Sequence, residues 1–335
     1  MNEKIADIFL EREKQTLSPF AFLTSNTRGR EKTYAPCEIR TEFQRDRDRI
    51  IHSRAFRRLM HKTQVFILPK DELYRTRMTH TMEVTQIARI IARALRLNED
   101  LTEAAALGHD LGHTPFGHAG EQVMRKCFDP HFSHAAQSIR VVERIENDGE
   151  GLNLTWEVKD GILNHSGSDT ASTLEGIIVK YADRIAYINH DIDDACRGGI
   201  ISLDDIPAPL LRTLGRGHSD RINTMVSSVI EASEGENRIA MTPEVGQATD
   251  ELRAFLFRNV YLNPKAKGEE NRAKEMLEML YHHFISHSEL LPSPYDRIRD
   301  EEGAPRAVCD YLSSITDRNA IDLFTKLFVP QVWNG

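Results

Sequence analysis

The sequence predicts an all-α protein, and three observations carry that prediction. Apolar residues recur at helical spacing in most long segments, with the most regular stripes at 76–97 (Val84, Ile87, Ala88, Ile91, Ala92, Leu95) and 173–192 (Leu174, Ile177, Ile178, Tyr181, Ile185, Ile188). The one extended candidate, residues 62–68, is short and β-branched and ends at Pro69, which does not suit a large sheet. Neither an internal repeat nor a low-complexity tract interrupts the pattern.

Whole-chain properties limit the function classes. With 335 residues, 40% hydrophobic and 28% charged, the composition is that of an ordinary globular protein of one large domain or two. The four cysteines are far apart with no CxxC pair, so neither a disulfide framework nor a cysteine zinc site is expected, and a reducing cytoplasm fits. Residues 1–15 do not read as a signal peptide, and no apolar run approaches the roughly 18 residues of a membrane span. A net charge of −8 argues against whole-surface attraction to nucleic acid, so an anionic substrate needs a local basic patch.

In chain order, residues 1–40 form a short amphipathic helix followed by a polar arm. Residues 41–60 form a helix with Phe43, Ile50, Ile51, Ala55, Leu59 and Met60 on one side and six arginines elsewhere, most of them read as a solvated face paired with Glu42, Asp46 and Asp48. The 76–97 helix stops near Asn98, and a helix at 99–108 delivers His109 and Asp110. Helices at 118–127, 134–146 and 156–163 follow, then 173–192. Beyond Gly198 the pattern loosens and recovers at 251–261, 273–286 and 311–328. The expected organisation is an N-terminal helix and arm (1–40), a catalytic core (41–200) and a helical C-terminal region packed on it (201–335).

The stretch 107–121 crowds three histidines, an aspartate and a glutamate among glycines and a proline, so site-type groups sit on backbone that cannot stay helical. Two imidazoles and two carboxylates make a mixed ligand set for a divalent ion, and His80, His109, Asp110 and Asp183 can supply it from three helices. Taken singly, His80 on its apolar stripe also reads as a hydrogen-bonded core residue. Asp183, Tyr187 and Asp191 follow at steps of four and stay within about 80° of one another on one helix face.

These residues carry a resemblance. Arg45-Asp46-Arg47-Asp48-Arg49, Arg57-Arg58-Leu59, Lys62-Thr63-Gln64-Val65, Arg75-Thr76-Arg77-Met78-Thr79-His80, the stretch HDLGHTPFGHAGE at 109–121 and Ala182-Asp183-Arg184-Ile185-Ala186-Tyr187 resemble the dGTPase-like dNTP triphosphohydrolases of the HD superfamily. The likeness runs from about Glu11 to Asp191 and weakens past Gly198. It implies an HD-domain helical bundle with an additional helical C-terminal region. It also implies hydrolysis of dNTPs to deoxynucleoside and inorganic triphosphate by water attack at the α-phosphorus.

Roles carry over from the resemblance residue by residue. His80, His109, Asp110 and Asp183 would hold one divalent ion, Mn2+ or Mg2+, with Fe, Ni or Zn also suited. His118 with Glu121 would handle the proton, although the same pair also fits a capped helix N-terminus. His113 would lie by the phosphates. A metal of charge +2 with two carboxylates is about neutral, so a triphosphate needs cations, for which Arg77, Arg75 and Lys62 are placed; the resemblance favours Arg77. Gln64, Tyr187 and Asp191 would read the 3′ hydroxyl and Val65 would exclude a 2′ hydroxyl. His134 and His165 are candidates for supporting contacts, with an ordinary structural role preferred for both. The family also implies a homo-oligomer and, in some members, a dNTP activator at a separate site. The alternatives are an HD phosphohydrolase of a monophosphate or cyclic nucleotide, or a non-catalytic nucleotide- or nucleic-acid-binding HD protein.

Overall fold

The computed structural model describes residues 4–64 and 73–330, with backbone only at 264–268. In chain order the α-helices are α1 (Ile5–Thr16), α2 (Glu42–His52), α3 (Arg54–Arg58), α4 (Arg77–Ala94), α5 (Glu99–Gly108), α6 (His118–Cys127), α7 (His134–Arg140), α8 (Trp156–Asn164), α9 (Leu174–Arg197), α10 (Ala208–Leu214), α11 (His218–Ser233), α12 (Pro243–Leu256), α13 (Pro264–Ser286), α14 (Tyr295–Glu302), α15 (Ala304–Ser314) and α16 (Asp317–Phe328). The fold is all-α; the extended segment reduces to one antiparallel bridge, Thr63 to Thr76, among the described residues. No described helix is long and apolar enough to cross a membrane. Two compact units interleave along the chain: Met1–His52, Thr79–His109 and Leu152–Ala266 form one, and Ser53–Met78, Asp110–Gly151 and Lys267–Gly335 the other.

In unit one, α2, α5, α8 and α9 pack around Phe43, Ile50, Leu101, Ile162, Ile178 and Ile185, each no more than 1% exposed. Asn98 does not merely stop α4: its side chain accepts from Leu101 N and caps α5. The N-terminal arm is stitched down by carboxylates, because loop backbone has no helical partner for its N–H groups. Phe22 N donates to Glu175 (2.9 Å), Arg28 N to Glu157 (2.8 Å), and Arg30 reaches Glu42 (2.7 Å) and the buried Asp46. The arginines of the 41–60 segment divide accordingly. Arg45 pairs with Glu42 and Arg47 with Asp48, whereas Arg49 donates to the carbonyls of Leu152 and Asn153.

The 41–60 helix is broken, contrary to the periodicity. Ser53 is extended and its hydroxyl accepts from Phe56 N, which ends α2 and starts α3 in unit two. Two buried aspartates organise that unit. Asp310 on α15 accepts from Gln137 (2.8 Å) and pairs with Arg140 (2.6 Å) and Arg306 (3.1 Å). Asp317, the first residue of α16, accepts from Thr63 N and Phe116 N, each at 2.9 Å. Residues 267–330 therefore share their unit, and these bonds, with the 110–117 turn.

Candidate metal centre and its flanking groups

Unit one gathers two imidazoles about one carboxylate. His80 lies in the first turn of α4, His109 follows α5 directly, and Asp183 lies midway along α9. His80 Nε2 is 3.1 Å and His109 Nε2 is 4.0 Å from Asp183 Oδ1, and the two rings stand 5.5 Å apart. Both histidines are buried. Burial raises the Asp183 carboxyl, but the hydrogen bond from His80 and the charges of His80, His109 and His165 outweigh it and hold the pKa at about 2. Asp183 is thus an anion at neutral pH.

Tyr187 and Asp191 follow on the same face of α9. Burial pushes the Tyr187 phenol up to about 12. Asp191 is buried; Tyr261 Oη donates to its Oδ2, and its Oδ1 has no partner among the described residues. Sequence reasoning missed Tyr261. It ends a π-helical turn, Phe257–Tyr261, whose apolar spacing reads as ordinary helix. Burial pushes the Asp191 carboxyl up to about 7, with the Tyr261 hydrogen bond drawing it part of the way back. The sign follows from linkage: a raised folded-state pKa means that stability present below about pH 4 is lost as pH rises through about 7. Asp191→Asn is therefore expected to narrow the difference in melting midpoint between pH 5 and pH 8 in metal-free protein. Thermal unfolding at the two pH values measures it, and an unchanged difference would show that Asp191 ionises normally.

Unit two holds the turn after Asp110. Gly112 is required by close approach: a Cβ there would lie 2.1 Å from Ser138 N and 2.3 Å from Gln137 C, backbone that cannot move aside. Gly117 has φ +57°, and a Cβ would meet Arg77 Nη2 at 3.0 Å. Gly112→Ala is expected to destabilise the protein by about 3 kcal/mol or more, or to prevent folding, as for other strained backbone contacts. A denaturant midpoint within error of wild type would contradict this.

Beyond the turn, Glu121 is the hub. Its buried carboxylate accepts from His134 N (3.0 Å), His134 Nδ1 (3.1 Å) and His118 Nδ1 (3.4 Å), and Arg125 pairs with it at 3.1 Å. Burial raises this carboxyl, but the bonds from His118 and His134 and the charge of His134 carry it well below the usual carboxylate range. The capping alternative does not describe α6: with Gly117 as N-cap, Glu121 is the fourth helical residue rather than the third, and its carboxylate turns to His118, His134 and Arg125. His118 itself is 77% exposed. His113 is buried, stacked on His134 at 4.7 Å, and burial with the nearby Arg77 charge keeps its ring neutral. The direct bond between His134 and Glu121 was not legible, because the two lie 13 residues apart on separate helices.

The candidate phosphate and sugar residues of unit two sit as follows. Arg77 donates from Nη1 to Asp110 Oδ2 at 2.6 Å, with both side chains buried, and from Nη2 to the Gln64 carbonyl at 3.4 Å. Asp110 Oδ1 is 3.9 Å from His134 Nε2. Lys62 is buried and donates to the carbonyls of His113 and Ser313; burial, partly offset by Asp317, lowers its pKa to about 7. The Gln64 side-chain oxygen is buried without a partner among the described residues. Val65 lies outside the described residues.

A divalent ion fits the groups of unit one. His80 turns Nε2 to Asp183 Oδ1 at 3.1 Å, while His109 Nδ1 lies 2.7 Å from the Ala106 carbonyl, an arrangement that fixes the His109 tautomer and presents its Nε2 as a ligand. The donor set of imidazole nitrogens and an ionised carboxylate suits the same ion. Comparison with known proteins agrees. The HD domain model matches residues 77–188, and that of a phosphohydrolase-associated domain matches 239–326. The chain is 55% identical to a deoxyguanosinetriphosphate triphosphohydrolase-like protein of Caldanaerobacter subterraneus subsp. tengcongensis, covering 98% of this chain and 97% of that one. It is 47% identical to a protein of the same name from Desulfatibacillum aliphaticivorans (97% and 98% covered) and 45% identical to one from Clostridium perfringens (98% of each). The chain belongs to the deoxyguanosinetriphosphate triphosphohydrolase-like family of HD-domain proteins and is a phosphohydrolase.

Proposed function

We propose that the protein hydrolyses deoxynucleoside triphosphates, dGTP or several dNTPs, to the deoxynucleoside and inorganic triphosphate. The observation that carries the reading is on α9: the carboxylate flanked by His80 and His109 is followed, on the same face, by Tyr187 and by Asp191, one of whose buried oxygens has no partner among the described residues. One helix can then present both a metal ligand and an acceptor for a sugar hydroxyl. His80, His109 and Asp183, with Asp110 next in the chain to His109, would hold one divalent ion, Mn2+ or Mg2+. Bound there, the ion supplies Lewis-acid activation at the α-phosphate.

The chain's own groups supply the rest. Water oxygen bonds to the α-phosphorus as the bond from phosphorus to the 5′ oxygen breaks, so triphosphate gains the hydroxyl and the 5′ oxygen gains a proton. His118, held by the anionic Glu121, is the proton-handling residue, and neutral His113 donates a hydrogen bond to phosphate. Arg77 would neutralise triphosphate charge, which requires exchanging its bond to Asp110 for substrate. Gln64, Tyr187 and Asp191 bind the 3′ hydroxyl, Val65 excludes a 2′ hydroxyl, and Lys62 and His134 support the phosphate side.

Metal-free protein supplied with Mn2+ or Mg2+ and each dNTP, singly and mixed, is the test. Triphosphate release from dNTPs but not from ribonucleotides supports the reading, whereas pyrophosphate release or equal turnover of ribonucleotides refutes it. Activity only in mixtures would identify a dNTP activator, which with a homo-oligomeric state and a cytoplasmic location belongs to the same reading.

A further inference from the structure

Asp317 has no part in the chemistry proposed above, yet its carboxylate is where two functional segments of unit two meet. It is the first residue of α16 and is 1% exposed. An aspartate in that position ordinarily serves its own helix, whose first turn favours negative charge. In α16 the preceding residue makes the cap instead, since Thr316 Oγ1 accepts from Asn319 N at 3.2 Å. Asp317 turns away from its helix. Its Oδ1 accepts from Phe116 N at 2.9 Å, and its Oδ2 accepts from Thr63 N at 2.9 Å and from the Thr63 hydroxyl.

Both donor segments carry residues of the proposed site. Phe116 has φ +59°, in the left-handed region that residues other than glycine rarely adopt, and Gly117 follows at φ +57°. Such a conformation persists only where its surroundings impose it. The N–H that Asp317 holds belongs to that residue, and α6 begins directly after it: the Phe116 and Gly117 carbonyls accept from Ala119 N and Glu121 N, each at 3.2 Å. His118 stands two residues beyond the bond. On the other side, Thr63 bridges to Thr76, the Lys62 carbonyl accepts from Arg77 N at 2.9 Å, and Gln64 comes next. The segments touch at Gly117, where a Cβ would lie 3.4 Å from the Gln64 carbonyl oxygen. One carboxylate spans the two.

We propose that Asp317 is a positioning residue of the hydrolytic reaction, holding the Phe116–Gly117 turn against the Thr63–Gln64 segment and so fixing the start of α6, which carries His118. This rests on the functional reading above, in which His118 handles the proton. Its consequence is that the phosphohydrolase-associated region, residues 239–326, takes a direct part in the chemistry of unit two.

The test uses Asp317→Asn, which keeps the shape and one acceptor but turns an amide donor on either Phe116 N or Thr63 N. It is expected to lower kcat for dNTP hydrolysis at least about tenfold, as misplacement of a reacting group does, with KM within about threefold of wild type. In a His118→Ala background the same change should cost no more than about twofold, because the group it positions is gone. Should Asp317→Asn not fold, Thr63→Val takes its place in the cycle by deleting one of the three donors, with kcat expected about threefold lower and the same dependence on His118. A kcat within about twofold of wild type in the folded variant, or equal losses with and without His118, overturns the proposal and leaves dNTP hydrolysis standing. Wild type that releases no triphosphate refutes the functional reading, and the proposal with it.

Discussion

Asp183→Asn is expected to bind Mn2+ at least about a hundredfold more weakly than wild type and to lose nucleotide hydrolysis by about three orders of magnitude. Even changes outside the ligand shell cost 10- to 100-fold in metal affinity, and Asp183 is the carboxylate that His80 and His109 share in unit one. Its pKa of about 2 means that wild type presents a full negative charge at neutral pH, which the amide cannot replace. Calorimetric titration with Mn2+ and a dNTP assay measure the two losses, and affinity within threefold of wild type would remove Asp183 from the site. The substitution also has a pH signature in metal-free protein. A depressed folded-state pKa gives stability that is fully present above the unfolded value near 4 and is lost as pH falls towards 2. The deficit of the variant against wild type should therefore be larger at pH 7 than at pH 3.

Local chemistry was legible where it is written locally. The α5 and α6 boundaries coincide with the spacing-based ones, and α9 starts one residue later, with Thr173 as its N-cap, and runs on to Arg197. Where periodicity overran, a short polar side chain intervened: Ser53 splits the 41–60 segment, and Thr316, whose side chain accepts from Asn319 N, separates α15 from α16. Apolar spacing continues across such a cap, so period alone does not register it. The 198–250 stretch, loosely patterned in sequence, holds α10, α11 and the start of α12, because its prolines stand in the first turn of helices or just before them. The candidate ligands follow from residue type and helix placement. Their partners do not: Tyr261 meets Asp191 across 70 residues and Glu121 meets His134 across 13, and one sequence without pairing information names neither. The interleaving of the two units is hidden for the same reason.

His118 and Glu121 are expected to behave as one device. His118 is the first residue of α6, largely in solvent, and its ring is held by a carboxylate that is buried and also bound by His134 and Arg125. A base or acid on a mobile exposed ring works only when something fixes its direction, and Glu121 does so while remaining ionised. His118→Ala should lower kcat by about 10²- to 10⁴-fold, the usual contribution of a positioned proton-transfer group, with Mn2+ affinity unchanged. Glu121→Gln should lower kcat less, since His118 is retained but its orientation is not enforced. If the two act as a unit, the double variant should be no slower than His118→Ala by more than about twofold, because Glu121 has nothing left to orient. Steady-state kcat for wild type, both single variants and the double variant closes the cycle. Fully multiplicative losses would mean that Glu121 acts on the reaction by a route independent of His118, with His134, its other histidine partner, as the group through which it does so.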